Sequence, residues 1–330
     1  MILEEIQTAL SIATKNLLSI PVLAFALGIL ASRLRSNLRL PEPVYQAASM
    51  ILLLAIGLKG GVALRQANAG ELVVPILVTV GLGIIIPLGA FFALKLLTPL
   101  GRMDRGSMAA HYGSTSLVTF TAALVLLESV AVKTEGYVAT LLTVMEIPGI
   151  VVGLLLATGR SGEKSASWRH GLVEVLTSKS VLLLVGGLAL GAAAGPEGYT
   201  RVEPLFGGLF QGILTLFLLH LGAIVGTHLA QVKSAGWGLL VFAIGFPIVC
   251  GVLGVLVGTS IGMGVGDATI LGVLCGSASY IAAPAAVRIA LPEANETVAL
   301  TSSLAITFPF NLTLGIPLLL ALAQRLAGVL

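Results

Sequence analysis

Gly113-Ser114-Thr115-Ser116 lies inside one apolar run of this 330-residue chain, and Gly276-Ser277-Ala278-Ser279 lies inside another. The two motifs stand 163 residues apart (276 minus 113), and Ala122-Ala123 returns as Ala285-Ala286 at the same offset. A second set agrees: Gly57, Gly61, Leu64 and Gln66 recur as Gly222, Gly226, Leu229 and Gln231, 165 residues on. Duplicated halves with small polar residues at matching depth predict a carrier with its site at the repeat interface, if the chain lives in a membrane.

Composition places it there. Hydrophobic residues make up 57% of the chain and charged residues 10%, too few to cover a soluble protein of this length. Apolar runs of spanning length recur throughout, and in lipid such runs are helices that satisfy their own backbone. The net charge of +3 reflects loop lysines and arginines, with no nucleic-acid footprint. Cys250 and Cys275 both sit in apolar runs and read as buried free thiols, not as a disulfide or metal pair. The first run follows Glu4 and Glu5, unlike the basic start of a signal peptide, and reads as a membrane helix.

The expected architecture is all-α and integral to the membrane. Spans are predicted near 17–32, 45–64, 72–97, 107–127, 137–158, 181–195, 205–230, 236–260, 267–287 and 298–324. That makes ten transmembrane helices in two five-helix repeats, 1–160 and 179–330, joined by a polar connector at 161–178. An odd number of spans per repeat inverts the second against the first. Placing the loops alternately on two sides puts twelve of the 18 Lys and Arg residues on one side, among them Arg33, Arg102, Lys179 and Arg288. The positive-inside rule makes that side and the connector cytoplasmic and both termini extracytoplasmic.

A Gly followed by hydroxyl residues is a poor continuous helix, because Gly costs about 1 kcal/mol relative to Ala and Ser and Thr compete for the ladder bonds. Breaks are therefore predicted in helices four and nine, over Gly113–Thr119 and Gly276–Ala283, the second supported by Pro284. The N–H groups opening each second half-helix can hold an anion. Gly113, Ser114, Thr115, Ser116, Thr119, Gly276, Ser277, Ser279 and Tyr280 are the candidate substrate-binding residues. A competing reading has these hydroxyls bridge neighbouring helices. Glu146, before Pro148, is a costly carboxylate in the fifth span and the first candidate for coupling to a cation or a proton; pairing with a neighbouring helix is the alternative. Thr307 and Asn311 flank Pro309 in the tenth span and join Glu146 as ion-coupling candidates. His111 stands two residues before Gly113, while His220 and His228 lack a third ligand, so no metal site is expected. Asp267 fits a first helical turn, and Lys59 the membrane interface.

Several stretches carry a resemblance: Pro21 to Phe25, Leu40-Pro41-Glu42, Ile56 to Arg65, Ala122 to Glu128, Glu146-Ile147-Pro148, and Leu291 to Asn295 continuing to Gly315-Ile316-Pro317-Leu318 and Leu322-Ala323-Gln324. On these the chain resembles the cyanobacterial sodium-dependent bicarbonate transporters, the SbtA-like family, as a member of its broader bacterial branch. The resemblance implies ten helices in a core and a gate domain, crossed broken helices four and nine, a homotrimer, elevator-like movement, sodium-coupled bicarbonate uptake and control by a PII-like regulatory protein. Tyr280 stands where that family has an aspartate, Glu146 also replaces an aspartate, and the connector is shorter.

No nucleotide-binding loop, paired catalytic constellation or flavin or nicotinamide fingerprint is present. The chain therefore reads as a secondary carrier of a small anion, bicarbonate first, with sodium as the coupling ion, no other cofactor, and no enzymatic activity. Proton-coupled carriage of another small or organic anion, and a non-transporting membrane sensor on the same fold, are the alternatives.

Overall fold

The computed structural model describes residues 14–36, 38–66, 69–158, 173, 176–232 and 236–329. The predicted connector, 161–178, lies outside the described residues except at 173 and 176–178. The helices are α1 (Ile20–Arg33), α2 (Glu42–Gln66), α3 (Ala69–Leu97), α4 (Arg102–Gly113), α5 (Leu117–Ser129), α6 (Val138–Thr158), α7 (Lys179–Thr200), α8 (Phe210–Val232), α9 (Trp237–Ser260), α10 (Val265–Cys275) and α11 (Ala282–Ala290). The last, α12, runs from Glu296–Leu300 to Ile316–Val329 through π-turns at Thr301–Thr307 and Asn311–Gly315. No strand occurs among the described residues.

Eight helical stretches among the described residues are long and apolar enough to cross a membrane, α4 and α5 counting together as one. Two predicted spans are short. With 14 residues, α1 covers about 21 Å, and with 11 residues, α10 covers about 16 Å, against a hydrocarbon core of about 30 Å. The first helix starts sharply because Pro21 sits in its first turn, after a bend at Ser19. The other ends at a break, beyond which α11 begins. Exposed side chains such as Leu23, Leu27 and Leu30 on α1 and Leu77, Phe92 and Leu96 on α3 suit a lipid surround.

The sixth span, predicted over 181–195, is Lys179–Thr200, and Gly195 kinks it at φ 64° before Pro196. Glycine takes that left-handed backbone without strain. The Arg65 guanidinium closes the kink by donating to the carbonyls of Ala192 and Ala193 at 3.2 and 3.0 Å.

Helices sort into two packing groups. In one, α2 runs along α7 and α8 along α1. In the other, α3, α4 and α6 pack together, as do α9, α10 and α12. Glycines at duplicated positions make duplicated close approaches. A Cβ on Gly57 of α2 would stand 2.9 Å from the Gly187 Cα of α7; on Gly222 of α8 it would collide with the Phe25 carbonyl of α1. Small residues let membrane helices touch backbone to backbone in this way.

Candidate functional site

Both predicted breaks are present. Helix α4 stops at Gly113 and α5 starts at Leu117; α10 stops at Cys275 and α11 starts at Ala282. The first break covers 114–116 only, shorter than the predicted 113–119. Ser116 caps α5 by accepting from the Thr119 N–H at 3.2 Å, and the Thr119 hydroxyl also donates to it at 2.9 Å. The second break, 276–281, ends before Pro284, which falls in the first turn of α11, where no ladder bond is lost. The Ala283 N–H is satisfied by the Ser279 hydroxyl at 3.2 Å.

The two breaks touch. The Ser116 N–H donates to Ser277 Oγ at 3.0 Å, and Ser277 in turn donates to the Leu274 carbonyl at 3.1 Å. The Ser279 N–H donates to the His111 carbonyl at 2.8 Å. His111 Nδ1 lies 2.7 Å from the Ser279 carbonyl; that oxygen only accepts, so Nδ1 carries the proton. These bonds clamp α4 and the second break together at a buried crossing.

Several polar atoms at the crossing remain without a partner: Ser114 Oγ, Thr115 Oγ1, His111 Nε2 and Tyr280 Oη, all buried. Ser116 Oγ already accepts two bonds, and the Tyr280 hydroxyl stands close enough to interact with it. Buried polar groups are normally paired, so this many orphans in one place single out the crossing as the candidate site.

A small cavity lies here, lined by Thr115, Ser116, Ser279, Tyr280 and Glu146, with Leu53, Ser180 and Leu184 from the α2/α7 group. Its free space of about 10 Å³ is close to that of one water. Of the predicted substrate-binding residues, the fold brings Thr115, Ser116, Ser279 and Tyr280 to this cavity. Gly113, Ser114, Thr119, Gly276 and Ser277 sit behind it, packing and bonding the breaks. Glu146 is buried, and no charged side chain among the described residues stands beside it.

Thr307 and Asn311 do not line the cavity. Thr307 donates to the Ala243 carbonyl at 2.6 Å and lies 2.7 Å from the Tyr112 hydroxyl. Asn311 donates to the Gly276 carbonyl at 2.7 Å, holding the second break. His220 accepts from the Leu40 N–H at 3.1 Å and stacks on Tyr45, and His228 Nδ1 bonds the Ile224 carbonyl. Asp267 accepts from the Glu135 N–H at 2.7 Å and the Tyr137 hydroxyl at 3.2 Å. Cys250 and Cys275 are free and buried.

Two larger openings flank the cavity at opposite ends of α2. One, of about 250 Å³, is lined by Tyr45, Gln46, Ser49 and Ser178 to Ser180, and shares Leu53, Ser180, Ile281 and Ala282 with the cavity. The other, of about 530 Å³, is lined by Lys59, Phe120, Glu128, Lys133, Glu135 and Phe210 among others, and shares no residue with it. Lys59 sits there with its Nζ 5.5 Å from the centre of the Phe210 ring. Sequence reasoning missed Ser180, Leu53 and Leu184, because their place depends on how α2 and α7 lie against the breaks.

A multi-pass helical chain with two broken helices meeting at a polar, buried cavity has the build of a membrane transporter. The chain is a member of the Na+-dependent bicarbonate transporter superfamily, whose family model matches residues 21–324. No curated protein matches the chain.

Proposed function

We propose that the chain carries bicarbonate across the bacterial inner membrane together with sodium. The observation that carries this reading is the contact between the two breaks, with unpartnered hydroxyls and the Glu146 carboxylate lining one cavity. Once the cavity, closed here to about the space of one water, widens, Thr115, Ser116, Ser279 and Tyr280 offer O–H donors to the anion, and the N-terminus of α5 adds its positive dipole end. A sodium ion beside Glu146 removes an uncompensated charge from the membrane interior, where it is expensive. Asn311 acts on this site by fixing the Gly276 carbonyl, and Thr307 by fixing Tyr112.

The two packing groups suit elevator-like movement, with α1, α2, α7 and α8 as the gate and the remainder as the moving core. The paired approaches of Gly57 and Gly222 support an inverted repeat of 1–160 and 179–330 with ten spans, α1 and α10–α11 completing the count. Termini outside, a homotrimer and a PII-like regulatory partner at the connector complete the reading.

The lone carboxylate of Glu146 also favours a second reading, in which it takes a proton and the cargo is another small anion. Uptake of radiolabelled bicarbonate into proteoliposomes separates them. An inward sodium gradient should drive accumulation, and Glu146→Gln should abolish the sodium response. Accumulation that follows a pH gradient alone favours proton coupling, and no uptake of any small anion rejects transport.

A further inference from the structure

The cavity at the crossing receives very unequal contributions from the two packing groups. The breaks and α6 supply hydroxyls and a carboxylate, whereas α2 and α7 supply Leu53, Leu184 and Ser180. Ser180 is the only one of these three with a hydrogen-bonding side chain. No hydrogen bond among the described residues occupies its hydroxyl, and it is half-buried at the start of α7. The same serine lines the 250 Å³ opening beside the cavity. In that opening Lys179 reaches across to Gln46, Nζ to Oε1 at 3.5 Å. Toward the other end, Ile56, Phe120 and Ala139 line the 530 Å³ crevice, and each of the three is buried. The cavity thus adjoins the opening at the Lys179 end through shared residues, and shares none with the crevice at the Lys59 end.

We infer that Ser180 contacts the transported anion, and does so only while the site opens toward the Lys179 end, with Lys179 drawing the anion to the mouth. This deepens the proposed function and rests on it. The Ser180 hydroxyl donates to one oxygen of the bicarbonate from the face opposite Thr115 and Ser116, closing a ring of donors to which α2 and α7 otherwise add only carbon. Because α7 and the breaks belong to different packing groups, movement of one group past the other removes Ser180 from the site. A residue used in one state changes affinity from one side of the membrane and not from the other, which a purely structural residue does not do.

The test uses the full chain with Cys250 and Cys275 replaced by Ala, reconstituted in vesicles of known orientation. Ser180→Cys should react with a membrane-impermeant methanethiosulfonate from the face bearing Lys179 alone, and bicarbonate should slow the reaction. In the otherwise unaltered protein, Ser180→Ala should raise the half-saturating bicarbonate concentration roughly tenfold from that face, the loss of one hydrogen bond to a charged group. The opposite face should change little, and Ser180→Thr should restore the affinity. Labelling from the other face, labelling indifferent to bicarbonate, or an equal change at both faces overturns the inference while leaving transport intact. Failure of the unaltered protein to carry bicarbonate overturns the proposed function instead.

Discussion

The two helix breaks occupy corresponding places in the two halves of the chain, yet they spend their hydroxyls differently. In the second, Ser277 accepts from Ser116 and donates to Leu274, and Ser279 satisfies the first turn of α11. In the first, the Ser114 and Thr115 hydroxyls make no bond. The second break is also twice as long, 276–281 against 114–116, and needs Asn311 to hold its opening carbonyl. Of two similar loops, the second does more to scaffold the crossing, though Ser279 and Tyr280 still carry donors, and the first leaves two hydroxyls wholly unbonded. Recognition of the anion should therefore depend more on the first half of the chain, and integrity of the crossing more on the second.

The largest effect should come from the backbone packing that supports each break. A Cβ on Gly149 of α6 would collide with the Gly113 carbonyl and lie 2.6 Å from the Ser114 nitrogen. Both are backbone atoms and cannot yield alone. On Gly251 of α9, which abuts Gly276, a Cβ would meet the ends of the Leu319 side chain at 3.0 Å. Gly149→Ala should cost more than about 3 kcal/mol, and Gly251→Ala under about 1 kcal/mol, since a leucine can change rotamer. Thermal unfolding in detergent, read by size-exclusion chromatography, checks this. Equal losses would mean that the first break is no more tightly seated than the second.

A smaller, more pointed comparison pairs Thr115→Val with Ser277→Ala. The valine keeps the shape of Thr115 and removes a hydroxyl that bonds nothing in the protein. Melting should be unchanged or higher, while KM for bicarbonate rises roughly tenfold through the lost donor. Ser277→Ala leaves the buried Ser116 N–H without an acceptor, a loss of about 1–3 kcal/mol in stability, with little change in KM. If both variants lose affinity without losing stability, the division between scaffold and recognition is wrong.

The breaks were legible in the sequence because Gly followed by hydroxyls has a local physical meaning that needs no tertiary information. Their extents were less so. The predicted unwinding through Thr119 fails because Ser116 caps α5 and Thr119 folds back onto it, a local bond that ends the break at residue 116. Glu146 was legible too, as a carboxylate in an apolar run, and it lines the same cavity as hydroxyls of both breaks. Thr307 and Asn311 stood out as polar groups beside Pro309, but which partner each reaches depends on the π-turns of α12. Those turns rotate the following residues in a way helical periodicity does not anticipate. The contribution of α7 was the least legible, since nothing near Ser180 distinguishes it from a helix-start serine until α2, α7 and α11 are placed together.

The smallest expected effect falls on the residue that most separates this chain from the cyanobacterial proteins it resembles. Tyr280 stands where they have an aspartate; its ring packs edge-on against Phe308 at 5.4 Å between centroids, and its hydroxyl is buried without a partner. Tyr280→Phe keeps the ring contact and removes the unpaired oxygen, so stability should be unchanged or rise by up to about 1 kcal/mol. If the hydroxyl serves the anion, bicarbonate KM rises by less than for Thr115→Val, because a phenol sharing its donor duty with the adjacent Ser116 and Ser279 is the more replaceable group. A rise in stability with no change in KM would assign Tyr280 to packing alone. The recognition set would then shrink to Thr115, Ser116 and Ser279, making the functional difference between the two breaks sharper still.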